Sequence, residues 1–588
     1  MTATIGVGTS TPKVTSTSRW RSVLVLLRPY RRMLALTIAF GVADQALALA
    51  AAGTGAYVVG RAATGTSVAH LRLGLIVLGI LVIPKPVTGW LESFVAHDMA
   101  FRILVDLRVR LYSAIERLAP SYLLGERSGD LGATAMSDIQ LVELFFAHTL
   151  SPMVVATVIP LGALIALAFV DPLIAAALLP ALLAVASVPW WLRRRSAAQG
   201  RAQRSAYGGL SAETVDRVQG LREILIFGQQ DAQLDRLDRA SDQVGRAQAA
   251  HARRSGTERG LLDGLTAIGM LVVLAVTGTL VADHTVSASV FPLAVVLAGY
   301  TFAPLTTVLT TARELGNVAA AGDRIVAILD ADPAVAEPAG PGPNGQIVPE
   351  VRFERATFRY GPELPDAIRE VSFDVAAGST VALVGHSGAG KSTCASLLLR
   401  WWDPKDGRVL LGGHDLRSFP QADLHRRISL IPQDTYLFNL TVTDNIRLAR
   451  PDATDAEVEW AATAALAHDF IVGSLPDGYD TRVGERGAHL SGGQRQRIAI
   501  ARAVLGAAPV LVLDEAVSNV DAESEAALET AMAAVRQDRT TLVIAHRHST
   551  IRSADIVVLL DAGRIIDIGT DAELSARSPV YRRLLDIA

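Results

Sequence analysis

Gly385-His386-Ser387-Gly388-Ala389-Gly390-Lys391-Ser392-Thr393 is the stretch on which the reading of this chain turns. It fits the pattern G-x-x-x-x-G-K-[ST]. An apolar, β-like run over 380–384 leads in, and a helix-like run through Leu397, Leu398 and Leu399 leads out. Strand, glycine-rich loop and helix in that order make a cradle for phosphate. Gly385, Gly388 and Gly390 let backbone N–H groups close around phosphate oxygens, with Ser387 in the same loop, and the start of the helix adds partial positive charge. In such a loop Lys391 reaches the β- and γ-phosphates, and the Ser392 hydroxyl, next to Thr393, ligates Mg²⁺. A glycine-rich turn with a chance lysine is the alternative, and the flanking pattern argues against it. The expectation is a site for ATP with Mg²⁺.

Two further stretches belong with this loop. Val510-Leu511-Val512-Leu513-Asp514-Glu515 reads as a buried strand ending in two acids. Downstream of a phosphate loop, Asp514 is placed to hold Mg²⁺ through water and Glu515 to orient or deprotonate the attacking water. Without that loop, two acids would simply start a surface turn. Leu490-Ser491-Gly492-Gly493-Gln494 opens a helix-like run, and its hydroxyl and N–H groups make a second anion-binding helix start.

The 588 residues exceed what one compact core holds. With 50% hydrophobic and only 19% charged residues, the chain is too apolar for an ordinary soluble enzyme, which points to membrane spans. A net charge of −3 gives no reason to expect nucleic acid. The single cysteine, Cys394, excludes an intrachain disulfide framework and a thiolate metal cluster, and reads as a small buried residue. Six apolar stretches are each about long enough to cross a bilayer: 33–60, 71–95, 149–170, 172–192, 261–281 and 287–309. Arg28, Arg31 and Arg32 precede the first, and Arg193, Arg194 and Arg195 follow the fourth. The proposed outer connections carry little positive charge, so the N-terminus and the nucleotide site lie on the inner side. The two long inner connections, 101–148 and 193–259, read as polar helices extending the spans, able to present a short crossing helix to a nucleotide domain. Candidate turns lie at 125–130 and 219–223. The organisation expected is a disordered tail over 1–18 and a membrane domain over 19–329, beginning with a basic amphipathic surface helix over 19–32. A Pro/Gly/Ala-rich linker over 330–349 and a mixed α/β domain over 350–588 complete it.

The pentapeptide at 490–494 resembles the signature of the ATP-binding cassette (ABC) transporter family, and the likeness covers the C-terminal domain. The resemblance implies that Tyr360 stacks on adenine, that Gln433 contacts Mg²⁺ and the membrane domain, and that 481–487 is the loop before the signature. It implies that His546 contacts the γ-phosphate and that Asp521 lies in the dimer-contact loop. In that family the signature of one subunit completes the ATP site on the other subunit's phosphate loop. Ser491, Gly492, Gly493 and Gln494 would then belong to a shared site. One cassette and one set of spans resemble a half-transporter. The fold implied is an α-helical six-span membrane domain (type IV exporter fold) plus an α/β P-loop ATPase domain, multi-pass in a bacterial plasma membrane and surrounded by lipid. It would pair with a second, non-identical half-transporter in preference to a second copy. Two departures stand out: Ser518-Asn519-Val520-Asp521 replaces the usual Ser-Ala-Leu-Asp, and Asp571 stands where related exporters often carry histidine.

Residues 92–102, 150–152 and 226–228 are similar to parts of the thiol exporter subunits that support cytochrome bd assembly, which suggests a small thiol or another amphipathic metabolite as cargo. Gln494 and Ala516 look more like lipid and drug exporters. In the thiol exporters a histidine aligned with His97 is associated with haem; a helix-capping or salt-bridged role is the alternative. Asp44, Lys85 and Glu92 fall at membrane depth, where charge is costly, and are expected to face a cavity and touch cargo or each other. For Glu92, a place beyond the hydrocarbon is the alternative. Pro84 and Pro86 are expected to bend the second span. ATP-driven export is the leading function. A homodimeric lipid or drug exporter, import on the same fold, as in some siderophore-uptake pairs, and a cassette ATPase without transport are the rivals.

Overall fold

The computed structural model describes residues 27–125, 128–311, 315–343, 345–514, 530–545 and 547–585. The chain forms two compact units. One contains the described residues up to Ala114 together with Gly129–Asp330; the other contains Ile115–Ser128 and the residues from Ala331 onward. The continuous domain expected over 19–329 is therefore interrupted. Ile115–Ser128, at the far end of the first inner connection, groups with the C-terminal residues instead.

The membrane unit is helical. A 3-10 turn, Arg28–Tyr30, leads into a helix of 33 residues, Arg31–Ala63; most of the surface helix expected over 19–32 lies outside the described residues. The buried positions of the long helix include Gly41, Ala48, Ala51, Gly53, Ala56 and Gly60, small residues that let neighbouring backbones approach. At Gly60 an added Cβ would fall 1.9 Å from the Ser289 carbonyl oxygen.

The expected bend in the second span is a break. Val68–Val82 and Lys85–Leu118 are separate helices parted at Ile83 and Pro84. Pro84 and Pro86 carry no amide hydrogen for the carbonyls of Ile80 and Val82, four residues back. After the short helices Ser121–Gly125 and Ser128–Ala133 comes a π-helical turn, Thr134–Asp138. The helices Ile139–His148 and Leu150–Val170 come next.

Pro172–Gln219 and Gln230–Ala282, of 48 and 53 residues, form an antiparallel pair joined through the short helix Leu221–Ile226. At 1.5 Å per residue each runs roughly 70–80 Å against about 30 Å of hydrocarbon, so more than half of each projects beyond the bilayer. Arg217 Nε donates to Gln233 Oε1 at 3.2 Å, and the Gln248 amide meets the Tyr207 hydroxyl. The joining helix is the crossing element expected near 219–223, and its Leu221, Leu225 and Ile226, with Phe227 after it, are exposed. Phe291–Thr311 and Leu315–Leu329 complete the unit.

Among the described residues five helical segments are long and apolar enough to cross a membrane: Arg28–Ala63, Val68–Leu118, Leu131–Val170, Gln230–Ala282 and Ala288–Val308. The expected crossing at 172–192 lies on the helix Pro172–Gln219, of which Pro172–Val188 is the apolar part among the described residues.

The other unit holds two sheets. Strands β1 (Val351–Phe358), β2 (Ile368–Val375), β4 (Asp406–Leu411) and β5 (His414–Asp415) form an antiparallel sheet in the order β2-β1-β4-β5. The second sheet is built from β3 (Thr380–Val384), β6 (Ile428–Ile431), β7 (Val510–Asp514), β8 (Thr540–Ile544), β9 (Ile556–Asp561) and β10 (Arg564–Gly569). Its order is β10-β9-β3-β8-β7-β6. All its pairings are parallel except β9 with β10. β3 is buried at every position and β7 at all but Asp514, which is why both read as unbroken apolar runs.

Candidate functional site

The parallel strands deliver the candidate residues to one end of the sheet. The glycine-rich loop follows β3, Gln433 comes shortly after β6, and Asp514 is the last residue of β7, in register with Ile544 of β8. The carboxyl ends of parallel strands are where open α/β sheets bind ligands.

The loop has the geometry its sequence demands. Gly390, at φ +103°, precedes the helix Lys391–Leu398, whose first-turn amides have no side-chain cap and no acidic neighbour. A Cβ at Gly390 would lie 2.7 Å from Ile368 Cγ2 and 3.0 Å from the Ala367 carbonyl oxygen. At Gly385 it would lie 2.1 Å from the Leu560 carbonyl oxygen, a backbone atom of β9 that cannot give way. Gly385→Ala is therefore expected to strain the loop by about 1–3 kcal/mol and to weaken nucleotide binding correspondingly. Titration with a fluorescent ATP analogue reads this, and unchanged affinity contradicts it.

Lys391 is 5% exposed, and its Nζ donates to the carbonyl oxygens of Gly385 (2.7 Å) and His386 (3.0 Å). Burial pulls its ammonium below the ordinary lysine range, opposed by Asp514. Burial likewise pushes the Asp514 carboxyl up; Lys391 works against that rise and Asp434 adds to it. A buried carboxyl short of positive charge is relieved by a divalent cation. Asp514, with the exposed Ser392 and Gln433 at the same sheet end, supplies the all-oxygen donors that suit Mg²⁺.

Tyr360, just past β1, is half-buried, with its hydroxyl 3.1 Å from Thr393 Oγ1. Its ring stands edge-on to Phe358 and to Trp402, at 4.9 and 5.2 Å between centroids. Trp402 is a partner that sequence reasoning missed; the Trp401-Trp402 pair after the loop's helix was the available signal. Cys394 is fully buried on that helix, as expected, and burial pushes its thiol up to about 12.

The signature opens its own helix, Gly492–Gly506. Ser491 Oγ accepts from the Gln494 amide at 3.2 Å, and the Ser491 amide donates to Gln494 Oε1 at 2.9 Å, a reciprocal cap. Ser491 and Gly492 face solvent and Gly493 is buried. Ser491→Ala is expected to cost about 1 kcal/mol of stability, read as a lowered melting temperature. In the loop before the signature, Gly484 and Arg486 take positive φ and Glu485–Gly487 forms a 3-10 turn. Glu515, Ala516, Asp521 with its loop, and His546 lie outside the described residues.

In the membrane unit, the ionisable residues expected at membrane depth meet partners. Lys85 Nζ is 3.5 Å from Asp44 Oδ1, and Thr88 and Gln45 also reach the Asp44 carboxylate. Ser151 donates to Glu92 Oε1 at 3.1 Å, above Gly41, where a Cβ would sit 2.3 Å from Ser151 Oγ. His97 Nδ1 lies 2.7 Å from the Ser93 carbonyl oxygen, and its ring is edge-on to His148 at 5.1 Å. That is a bond back to its own helix, at a position inside Lys85–Leu118 and not at its cap. Among the described residues no group of three or more His, Cys, Asp or Glu side chains gathers to hold a metal. The haem expectation gains no support. Asp571 begins the helix Asp571–Arg577 and accepts from the Tyr581 hydroxyl at 2.6 Å.

Comparison with known proteins agrees with this layout. Residues 368–518 match the family model for the ABC transporter, and residues 34–305 that for the ABC transporter transmembrane region. The chain is 30% identical over 572 residues to YgaD of Bacillus subtilis (strain 168), an ATP-binding/permease protein named for multidrug export. That alignment covers 95% of this chain and 98% of YgaD. It is 31% identical over 525 residues to SAV1866 of Staphylococcus aureus (strain Mu50 / ATCC 700699), likewise named, covering 89% and 91%. The local likeness to thiol exporters finds no support in these relatives. A glycine-rich loop on a parallel sheet, a capped signature helix and apolar helices long enough to cross a membrane thus occur in one chain with full-length relatives, and the protein belongs to the ABC transporter family, as an ATPase that couples hydrolysis to transport.

Proposed function

We propose that this chain is one half of an exporter in which two chains clamp Mg-ATP between the phosphate loop of one and the signature of the other. The observation that carries this reading is the presence, in one cassette, of two separate solvent-facing anion-binding helix starts: the loop before Lys391–Leu398 and the Ser491 cap of Gly492–Gly506. Lys391 would hold the β- and γ-phosphates, and Ser392, Gln433 and Asp514 the Mg²⁺, which lends positive charge to the phosphoryl oxygens. Tyr360 would stack on adenine. Glu515 would deprotonate the attacking water, His546 contact the γ-phosphate, and Asp521 report to the partner. Six crossings, with the nucleotide unit on the cytoplasmic side of a plasma membrane, complete the arrangement.

Relatives named for multidrug export favour an amphipathic organic cargo. Asp44 with Lys85, and Glu92 with Ser151, supply polar groups along the path, and these pairs would open toward cargo. The test is ATP-dependent accumulation of Hoechst 33342, with glutathione as the rival probe, in inside-out vesicles carrying this chain alone. Dye uptake supports the reading, and glutathione uptake supports a thiol cargo. ATP hydrolysis indifferent to both, with neither moved, removes it. Activity of the chain alone means a homodimer; activity only beside a second half-transporter means a heterodimer.

A further inference from the structure

The chain passes between the two compact units at Ser128 to Gly129 and again at Asp330 to Ala331. Shortly after the first passage stands Asp138, and shortly before the second stands Arg324. These two residues, 186 apart in sequence, hold each other bidentately: Arg324 Nε donates to Asp138 Oδ2 at 2.7 Å and Nη2 to Oδ1 at 2.6 Å. The Asp138 side chain is 8% exposed and that of Arg324 54%. Planar fork against carboxylate is the most directional ion pair a protein makes.

The surroundings make the pair more than a surface bridge. Asp138 ends the π-helical turn Thr134–Asp138, whose extra residue per turn rotates the helix after it relative to the helix before it. The helices on either side of the pair, Ile139–His148 and Leu315–Leu329, pack together. Ile139, Val142 and Phe146 are buried on one, and Val318, Ala321, Ile325 and Ile328 on the other. Only Thr149 separates the first of these helices from the apolar Leu150–Val170. The second comes after the apolar Phe291–Thr311.

We infer that Asp138 and Arg324 are positioning residues for energy coupling: their bidentate pair binds two of the chain's passages between the units into one strut. A displacement of either passage then turns Leu150–Val170 and Phe291–Thr311 together. Nucleotide binding and hydrolysis occur elsewhere, so loss of the strut leaves the ATPase running and disconnects it from the membrane helices.

The experiment is hydrogen exchange on the full chain in lipid nanodiscs, with and without Mg-ATP plus vanadate, alongside ATPase rate. In the wild type, trapping nucleotide changes amide exchange in residues 150–170 and 291–308. Arg324→Gln acts at the more exposed partner and keeps an amide donor for Asp138; with folding checked by melting temperature, it is expected to keep ATPase within about twofold while shrinking that exchange difference about fivefold or more. Arg324→Lys, which keeps charge and loses the fork, falls between. The exchanged pair, Asp138→Arg with Arg324→Asp, restores the wild-type difference if it folds, and Asp138→Glu serves where it does not. An undiminished exchange difference in Arg324→Gln overturns the inference. So does a parallel fall in ATPase and exchange, which marks a merely structural contact.

Discussion

Lys391→Ala is expected to lower ATP turnover by about a hundredfold or more while leaving the fold intact. The lysine is held 5% exposed at the head of its helix, its Nζ donating to the carbonyls of Gly385 and His386. Those oxygens carry only partial charge; burial pulls the ammonium below the ordinary lysine range, and Asp514 works against that fall. A phosphate oxygen repays more, because it brings full negative charge to a donor already dehydrated and aimed. Removing the side chain loses that stabilisation and the charge that opposes the rise of the Asp514 carboxyl, while the neighbouring loop is exposed at His386, Ser387 and Gly388, so water replaces the lost contacts. Phosphate release and nucleotide binding should fall together, with the melting temperature of the nucleotide-free protein nearly unchanged. Lys391→Arg should not restore turnover, since the wider planar head cannot take the place of a compact ammonium. A variant retaining half the wild-type rate contradicts the assignment.

Glu515→Gln is expected to stop hydrolysis, again by about a hundredfold or more, but to leave ATP bound. The residue immediately follows Asp514, the last residue of β7, and under the proposed function the first acid serves the metal and the next serves the water. A neutral amide keeps the shape and cannot take a proton. Two cassettes closed on ATP then have no way to release it, and the protein should migrate as a dimer in Mg-ATP and not in its absence. Size-exclusion chromatography with light scattering reads this directly. A variant that hydrolyses at the wild-type rate would falsify the role given to Glu515.

How much could be read beforehand depended on how local the determinants are. The phosphate loop, the apolar strand ending in Asp514 and the reciprocal cap of Ser491 with Gln494 are each encoded within a few residues, so pattern and chemistry coincide. The break at Ile83 and Pro84 was legible for the same reason, as was the pairing of Asp44 with Lys85 in kind though not in partner. Hidden from sequence were features that depend on distant packing. The Asp138–Arg324 pair joins positions 186 apart, and the π-helical turn beneath it has no compositional marker. The Tyr581 hydroxyl on Asp571 arises from tertiary folding alone, and Trp402 beside Tyr360 left only the Trp401-Trp402 pair as a sign. The crossing expected at 172–192 lies on the unbroken helix Pro172–Gln219, whose apolar part among the described residues is Pro172–Val188.

The interruption between Val82 and Lys85 has a mechanical corollary. A single unbroken rod would carry any tilt at the cytoplasmic end straight through to the opposite leaflet. Here the rod is jointed. Its outer piece leans on the first helix, where Gly74 leaves room for Val58, while its inner piece is tied by Glu92 to Ser151. Each piece is accordingly anchored to a different neighbour, the first to Arg31–Ala63 and the second to Leu150–Val170, with Ile83 and Pro84 between them.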